Sequence, residues 1–175
     1  MLYFVRHGQT NWNVEGRVQG TSDTELNEVG MAQAEKLAQE LKDVDIDLII
    51  CSPLKRARKT AEIINRSKNC EIIVDKNFIE RDFGEFEGRT REEYPMADFW
   101  NYKANYKYEK AECMSDFFNR IYKALDEIKE KYLDKNVLIV SHGGVSRPVK
   151  CYFNGIPENM LSLGMNNCEV VKFEF

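Results

Sequence analysis

The sequence predicts an α/β fold, a three-layer α/β/α sandwich around a mostly parallel central sheet. Three observations lead there. Leu2–Val5, Leu48–Cys51 and Val137–Val140 are short, continuous apolar runs, the pattern of strands covered on both faces rather than the alternation of a half-solvated sheet. Amphipathic stretches at helical spacing separate them. The chain thus alternates strand and helix, and that order gives a parallel sheet flanked by helices.

The elements follow in chain order. After the first run, Asn27 caps a helix reaching about Leu41, with Val29, Ala34, Leu37, Ala38 and Leu41 at helical spacing. After the second, Ser52-Pro53 reads as an N-cap and first turn, opening a helix whose buried face carries Ala57, Ala61 and Ile64. Phe117, Ile121, Leu125, Ile128 and Tyr132 recur every three or four residues and form a third helix leading into Val137–Val140. Cys168–Phe175 alternates apolar and charged residues and is expected as a closing strand near an edge. Tyr94–Lys110, rich in Tyr and Lys, interrupts the alternation and reads as an inserted loop or lid.

The 175 residues suit one domain, 1–175, with a short lid-like insertion around 89–113. With 43% apolar and 31% charged residues the composition is that of a folded globular protein, and no apolar run approaches the roughly 20 residues of a membrane span. No membrane partner is expected. Met1–His7 carries neither a basic leader nor a small-residue cleavage site, so a cytoplasmic protein is expected. Five scattered cysteines without a Cys-x-x-Cys pair indicate free thiols. A net charge of −4 without a basic stripe gives no reason to expect nucleic acid.

Each buried run ends in residues a core has no use for: Arg6-His7-Gly8, then Ser52 leading to Arg56, then Ser141-His142-Gly143-Gly144. Open α/β sheets bind ligands beyond the carboxyl ends of their strands, so parallel neighbours would bring Arg6, His7, Arg56 and His142 into one cationic pocket. Glycines beside both histidines allow backbone amides close to a bound group, and a phosphate is the natural ligand. Arg56 lies one helical turn past its strand, whereas Arg58 points elsewhere. The chain has two histidines and both sit at these ends. A structural zinc takes about four ligands, which two histidines and scattered cysteines do not supply, so neither metal nor other cofactor is expected.

The segment Leu2–Asn13, LYFVRHGQTNWN, resembles the signature that opens the histidine phosphatase (phosphoglycerate-mutase-like) superfamily. Four further blocks match in order: Arg17-Val-Gln-Gly20 with Asp23, Leu26 and Gly30; Ser52-Pro-Leu-Lys-Arg-Ala57 with Thr60; Glu80-Arg-Asp-Phe-Gly84 with Glu87-Gly88; and Ser141-His-Gly-Gly144 with Arg147. The resemblance implies that His7 attacks phosphorus and becomes a phosphohistidine, that Arg6, Asn13, Arg56 and His142 hold phosphoryl oxygens, and that Glu80 is the proton donor. It also implies substrate contacts at Gln19, Gly20 and Gly143. Taken alone, Glu80 would read as a strand-end carboxylate paired with Arg81.

A small phosphorylated metabolite is the expected partner, and the chain is expected as monomer or homodimer. Within the superfamily, mutases must shield the phosphohistidine from water, so the compact segment from Gly88 to Met114 favours a phosphatase. A broad-specificity phosphatase, an α-ribazole phosphatase and a phosphoglycerate mutase all stay open. Ala111-Glu112-Cys113 departs from the Gly-Glu-Ser that many members carry there, though Glu112 is retained. Tyr102, Lys103, Tyr106, Lys107 and Lys110 are either substrate contacts or a solvated loop.

Overall fold

A computed structural model describes residues 1–175. Its five strands are β1 (Leu2–Arg6), β2 (Leu48–Cys51), β3 (Glu71–Val74), β4 (Val137–Ser141) and β5 (Val170–Phe173), in one sheet of order β3-β2-β4-β1-β5. The three apolar runs are its centre and pair with one another in parallel: Phe4 lies opposite Ile139 and Ile50 opposite the same residue from the other side. Only β5 runs antiparallel, closing the edge against β1.

Helices α2 (Glu28–Glu40) and α3 (Lys55–Asn65) cover one face, and α5 (Met114–Tyr132) and α6 (Ser146–Asn154) the other. Two short helices, α1 (Asn11–Val14) and α4 (Met96–Phe99), lie in the loops. Strand side chains alternate between the two cores. Phe4, Ile50 and Ile139 join Phe117, Ile121 and Leu125 of α5, while Val5, Ile49 and Val140 join Leu37 and Ile64 on the α2–α3 side. Two apolar faces explain why these strands show no alternation in sequence.

Asn27 caps α2 as expected, its side chain accepting from the Gly30 N–H at 2.8 Å. Three expectations need correcting. Val29 is exposed, because it lies on the solvent side of the first turn. Ser52 is not a helix cap: α3 starts two residues later, with Leu54 as its N-cap, because Ser52 is still part of the chain leaving β2 and turns its hydroxyl inward. The segment from Tyr94 is not a loop throughout, since Tyr94, Phe99 and Trp100 are buried in the α5-side core. β3 and α6 went unread. β3 is a four-residue edge strand whose residues are all at least partly exposed, and its Glu-Ile-Ile-Val carries no clear period.

Candidate active site

The carboxyl ends of β1, β4 and β2 lie side by side, and their loops form one site. The His7 N–H donates to the Ser141 carbonyl at 2.9 Å, locking the residue after β1 to the end of β4. Gly8 then passes so close to α2 that an added Cβ would stand 2.4 Å from the Gly30 oxygen. Its N–H donates to Thr60 Oγ1 at 3.1 Å. The His7 ring is 2% exposed, and Nδ1 lies 2.7 Å from the Gly8 carbonyl. A carbonyl only accepts, so Nδ1 carries the proton and Nε2 keeps its lone pair. Arg56 Nε–H donates to that Nε2 at 3.2 Å.

His142 is fully buried behind His7, their ring centroids 5.2 Å apart. Its Nε2 is 2.7 Å from Ser52 Oγ, and its Nδ1 has no partner. Arg56 is also fully buried, forking onto the carbonyls of Ser22 at 2.6 Å and Gly20 at 2.7 Å. Arg6 donates to the Met165 carbonyl, while its buried Nε has no partner. Asn13 uses its oxygen to accept from the Thr10 N–H at 3.1 Å, which leaves its amide donors for the cavity it lines.

Glu80 closes the site from the loop after β3. Its Oε1 accepts from the Arg81 N–H at 2.9 Å and its Oε2 from the Gly144 N–H at 2.8 Å. The Arg81 side chain is not its partner. That guanidinium donates to the carbonyls of Glu112 and Phe99 and lies 4.9 Å from the Phe99 ring centre, which corrects the plain ion-pair reading of the two neighbours.

Burial, then Arg56 and Arg6, hold the His7 imidazole well below its usual range, and burial and Arg56 do the same to His142. Both rings are therefore neutral near neutral pH. Burial likewise lowers Arg6 and Arg147, and brings Arg56 down to about 10, still cationic at pH 7. The hydrogen bonds of Arg56, Arg6 and Arg147 go to carbonyls, a threonine hydroxyl and His7, and to no carboxylate. Such cations await an anion.

They face a cavity of about 430 Å³. Arg6, His7, Asn13, Gln19, Gly20, Arg56, Glu80 and Gly143 all line it, with His142 immediately behind, so the residues that the resemblance marks for the site lie together. Gly20 needs its positive φ of 51°, and a Cβ there would meet Glu87 Oε1 at 2.0 Å. Glu87, whose role the sequence does not disclose, holds this loop by accepting from the Thr21 and Ser22 N–H groups at 2.7 and 2.9 Å.

The sequence reading missed the outer wall. Arg17, Arg91, Tyr94, Met96, Trp100 and Arg147 line it, whereas Tyr102, Lys103, Tyr106, Lys107 and Lys110 do not and form the solvated part of the insertion. The available signal was the apolar cluster Tyr94, Met96, Phe99 and Trp100, free of lysine and set before the Tyr- and Lys-rich part, which marks burial rather than solvent. Arg147 stacks 4.1 Å from the Trp100 ring centre and donates to the Gly143 carbonyl at 2.8 Å.

A family profile described as the histidine phosphatase superfamily, branch 1, matches residues 2–175. The chain belongs to that superfamily. Among its relatives, a Bacillus subtilis protein named as the uncharacterized phosphatase PhoE is 35% identical over 171 residues, 98% of this chain and 86% of that one. Phosphoserine phosphatase 1 of Hydrogenobacter thermophilus is 36% identical, covering 95% of this chain and 82% of its own. The structure of a mycobacterial glucosyl-3-phosphoglycerate phosphatase superposes with a TM-score of 0.86 at 30% identity, covering 97% and 90% of the two chains. The chain has no helix long and apolar enough to cross a membrane, and no group of three His, Cys, Asp or Glu side chains that could hold a metal ion.

Proposed function

We propose that the protein is a phosphomonoesterase acting on small phosphorylated metabolites through a phosphohistidine on His7. The observation that carries this is the unprotonated His7 Nε2, held at the cavity beside arginines that have no carboxylate partner. In the first step the Nε2 lone pair forms a bond to phosphorus, the bond to the ester oxygen breaks, and Glu80 delivers its proton to that oxygen. In the second, water attacks the phosphorus, the N–P bond breaks, the water proton passes to the Glu80 carboxylate, and inorganic phosphate leaves. Arg6, Arg56, Asn13 and His142 hold the oxygens as charge redistributes, stabilisation that needs no metal ion. Gln19, Gly20 and Gly143 border the substrate.

Charge narrows the substrate class. Five arginines and a single carboxylate line the cavity, more positive charge than one phosphoryl group neutralises. Arg17 is already paired with Glu15 at 2.6 Å, so the outer charges that favour a leaving group that is itself anionic are Arg91 and Arg147. Phosphoserine and glucosyl-3-phosphoglycerate, for which two relatives are named, both carry a carboxylate.

The test is phosphate release from a panel that includes phosphoserine, 3-phosphoglycerate, α-ribazole phosphate and a neutral alkyl phosphate, with chelator present and His7→Ala in parallel. Chelator-resistant release that His7→Ala abolishes, led by the acidic esters, is expected. Activity of His7→Ala within tenfold of the native enzyme would sink the nucleophile, and primer-dependent interconversion of phosphoglycerates without release would make the protein a mutase.

A further inference from the structure

Arg120, on the second turn of α5, does not line the cavity, yet it holds the backbone that carries Glu80. Its guanidinium has five N–H donors and all are engaged. Nη1 donates to the carbonyls of Asn77 and, at 2.9 Å, Ile79; Nη2 donates to the Glu80 carbonyl at 3.1 Å. The remaining donors form a fork on Glu112, Nε to Oε1 at 2.6 Å and Nη2 to Oε2 at 3.0 Å. Both side chains are largely buried, at 19% and 16% exposure, and the guanidinium lies 4.8 Å from the Phe117 ring centre.

Three carbonyls in four residues converge on this cation because the chain between β3 and Glu80 has little regular structure of its own, a single turn at Lys76–Phe78. Glu112 is the far end of the insertion. Its N–H donates to the Asp82 carbonyl at 2.9 Å, and its own carbonyl accepts from Arg81 Nε at 3.0 Å. One ion pair therefore ties together the loop bearing Glu80, the return of the insertion and the first turns of α5.

We propose that Arg120, fixed by Glu112, is a positioning residue for the general acid, setting where the Glu80 carboxyl meets the leaving oxygen and tying that placement to the seating of the insertion. The proposal rests on the reading of Glu80 as the acid. A purely structural cation would support both chemical steps alike. A residue that places the acid matters most where the leaving group needs a proton, so an alkyl ester should suffer and nitrophenyl phosphate, whose leaving group scarcely needs one, should not.

The experiment measures kcat/KM on nitrophenyl phosphate and on phosphoserine for Glu80→Gln, Arg120→Met and the double variant. Arg120→Met is expected to lose about tenfold or more on phosphoserine beyond its loss on nitrophenyl phosphate, a part of the roughly 10²–10⁴ that a general acid supplies. Added to Glu80→Gln it should change phosphoserine turnover by less than about threefold, since coupled residues are not additive. Equal losses on the two substrates, or full additivity in the double variant, would overturn the positioning role. Equal losses in Glu80→Gln itself would remove the acid, and the proposal with it. If Arg120→Met does not fold by circular dichroism, Arg120→Lys reads the same split, because a point ammonium cannot span three carbonyls and fork onto a carboxylate.

Discussion

A histidine attacks phosphorus only with a free lone pair, and near neutral pH an exposed imidazole spends part of its time protonated. His7 avoids this chiefly through burial, with Arg56 and then Arg6 disfavouring a second positive charge, while the Gly8 carbonyl, which alone would favour protonation, fixes the ring's one proton on Nδ1. Arg56 does three things with one planar group, touching Nε2 of His7 and fixing the Gly20 and Ser22 carbonyls of the loop that borders the cavity. A lysine has the charge but not the fork. Arg56→Lys is therefore expected to lower kcat by about 10²–10³, comparable to losing one donor to a developing oxyanion. Steady-state kinetics on a folded variant checks this, and a loss below threefold would mean that charge alone suffices at this position.

At the scale of elements, the site depends on how closely the loop after β1 crosses α2. An added Cβ on Gly8 would stand 2.4 Å from the Gly30 oxygen, and one on Gly30 would stand 2.0 Å from the Gln9 oxygen. Both obstacles are backbone, which cannot rotate away. Gly30→Ala should thus destabilise the fold by about 1–3 kcal/mol, the usual cost of overpacking, or more, read as a lower urea midpoint at unchanged slope; an unchanged midpoint would show that the crossing has slack. The sequence disclosed the crossing's partners, since the apolar runs and the polar residues at their ends are local signals. The pocket was legible for the same reason: a parallel sheet puts β2, β4 and β1 ends together whatever the side chains between them. Ser52 was misread because a serine before a proline and a basic run looks like a cap, while its actual partner, His142, is 90 residues away. The outer wall and the Arg120 clamp were illegible for that reason too. Arg91, Tyr94, Arg120 and Arg147 acquire meaning only when α5, α6 and the insertion pack together.

For the whole molecule, the site is a standing cost to the fold. Two neutral histidines and several buried arginines without carboxylate partners are held in place by the surrounding packing, and their burial links stability to pH. Both histidine pKa values are lowered in the folded state, with burial as the first cause. Above about pH 6.5 neither state binds a proton there, so the contribution is complete; below it the unfolded imidazoles protonate while the folded ones stay neutral. Stability must then fall as pH falls, by about 1.4 kcal/mol per pH unit for each histidine until its folded pKa is reached. Carboxylates add their own dependence at lower pH, so the native protein is best compared with His7→Gln, which removes one of the two contributions. Denaturation in phosphate-free buffer at pH 7.5, 6.5 and 5.5 should show the native protein losing about 1 kcal/mol more than the variant over the last interval, because the excess develops only as the unfolded histidine titrates. Parallel losses would mean that His7 takes up its proton in the folded state as readily as in the unfolded one. His7 would then be largely protonated below pH 6.5, and burial beside Arg56 and Arg6 would not be keeping its Nε2 unprotonated.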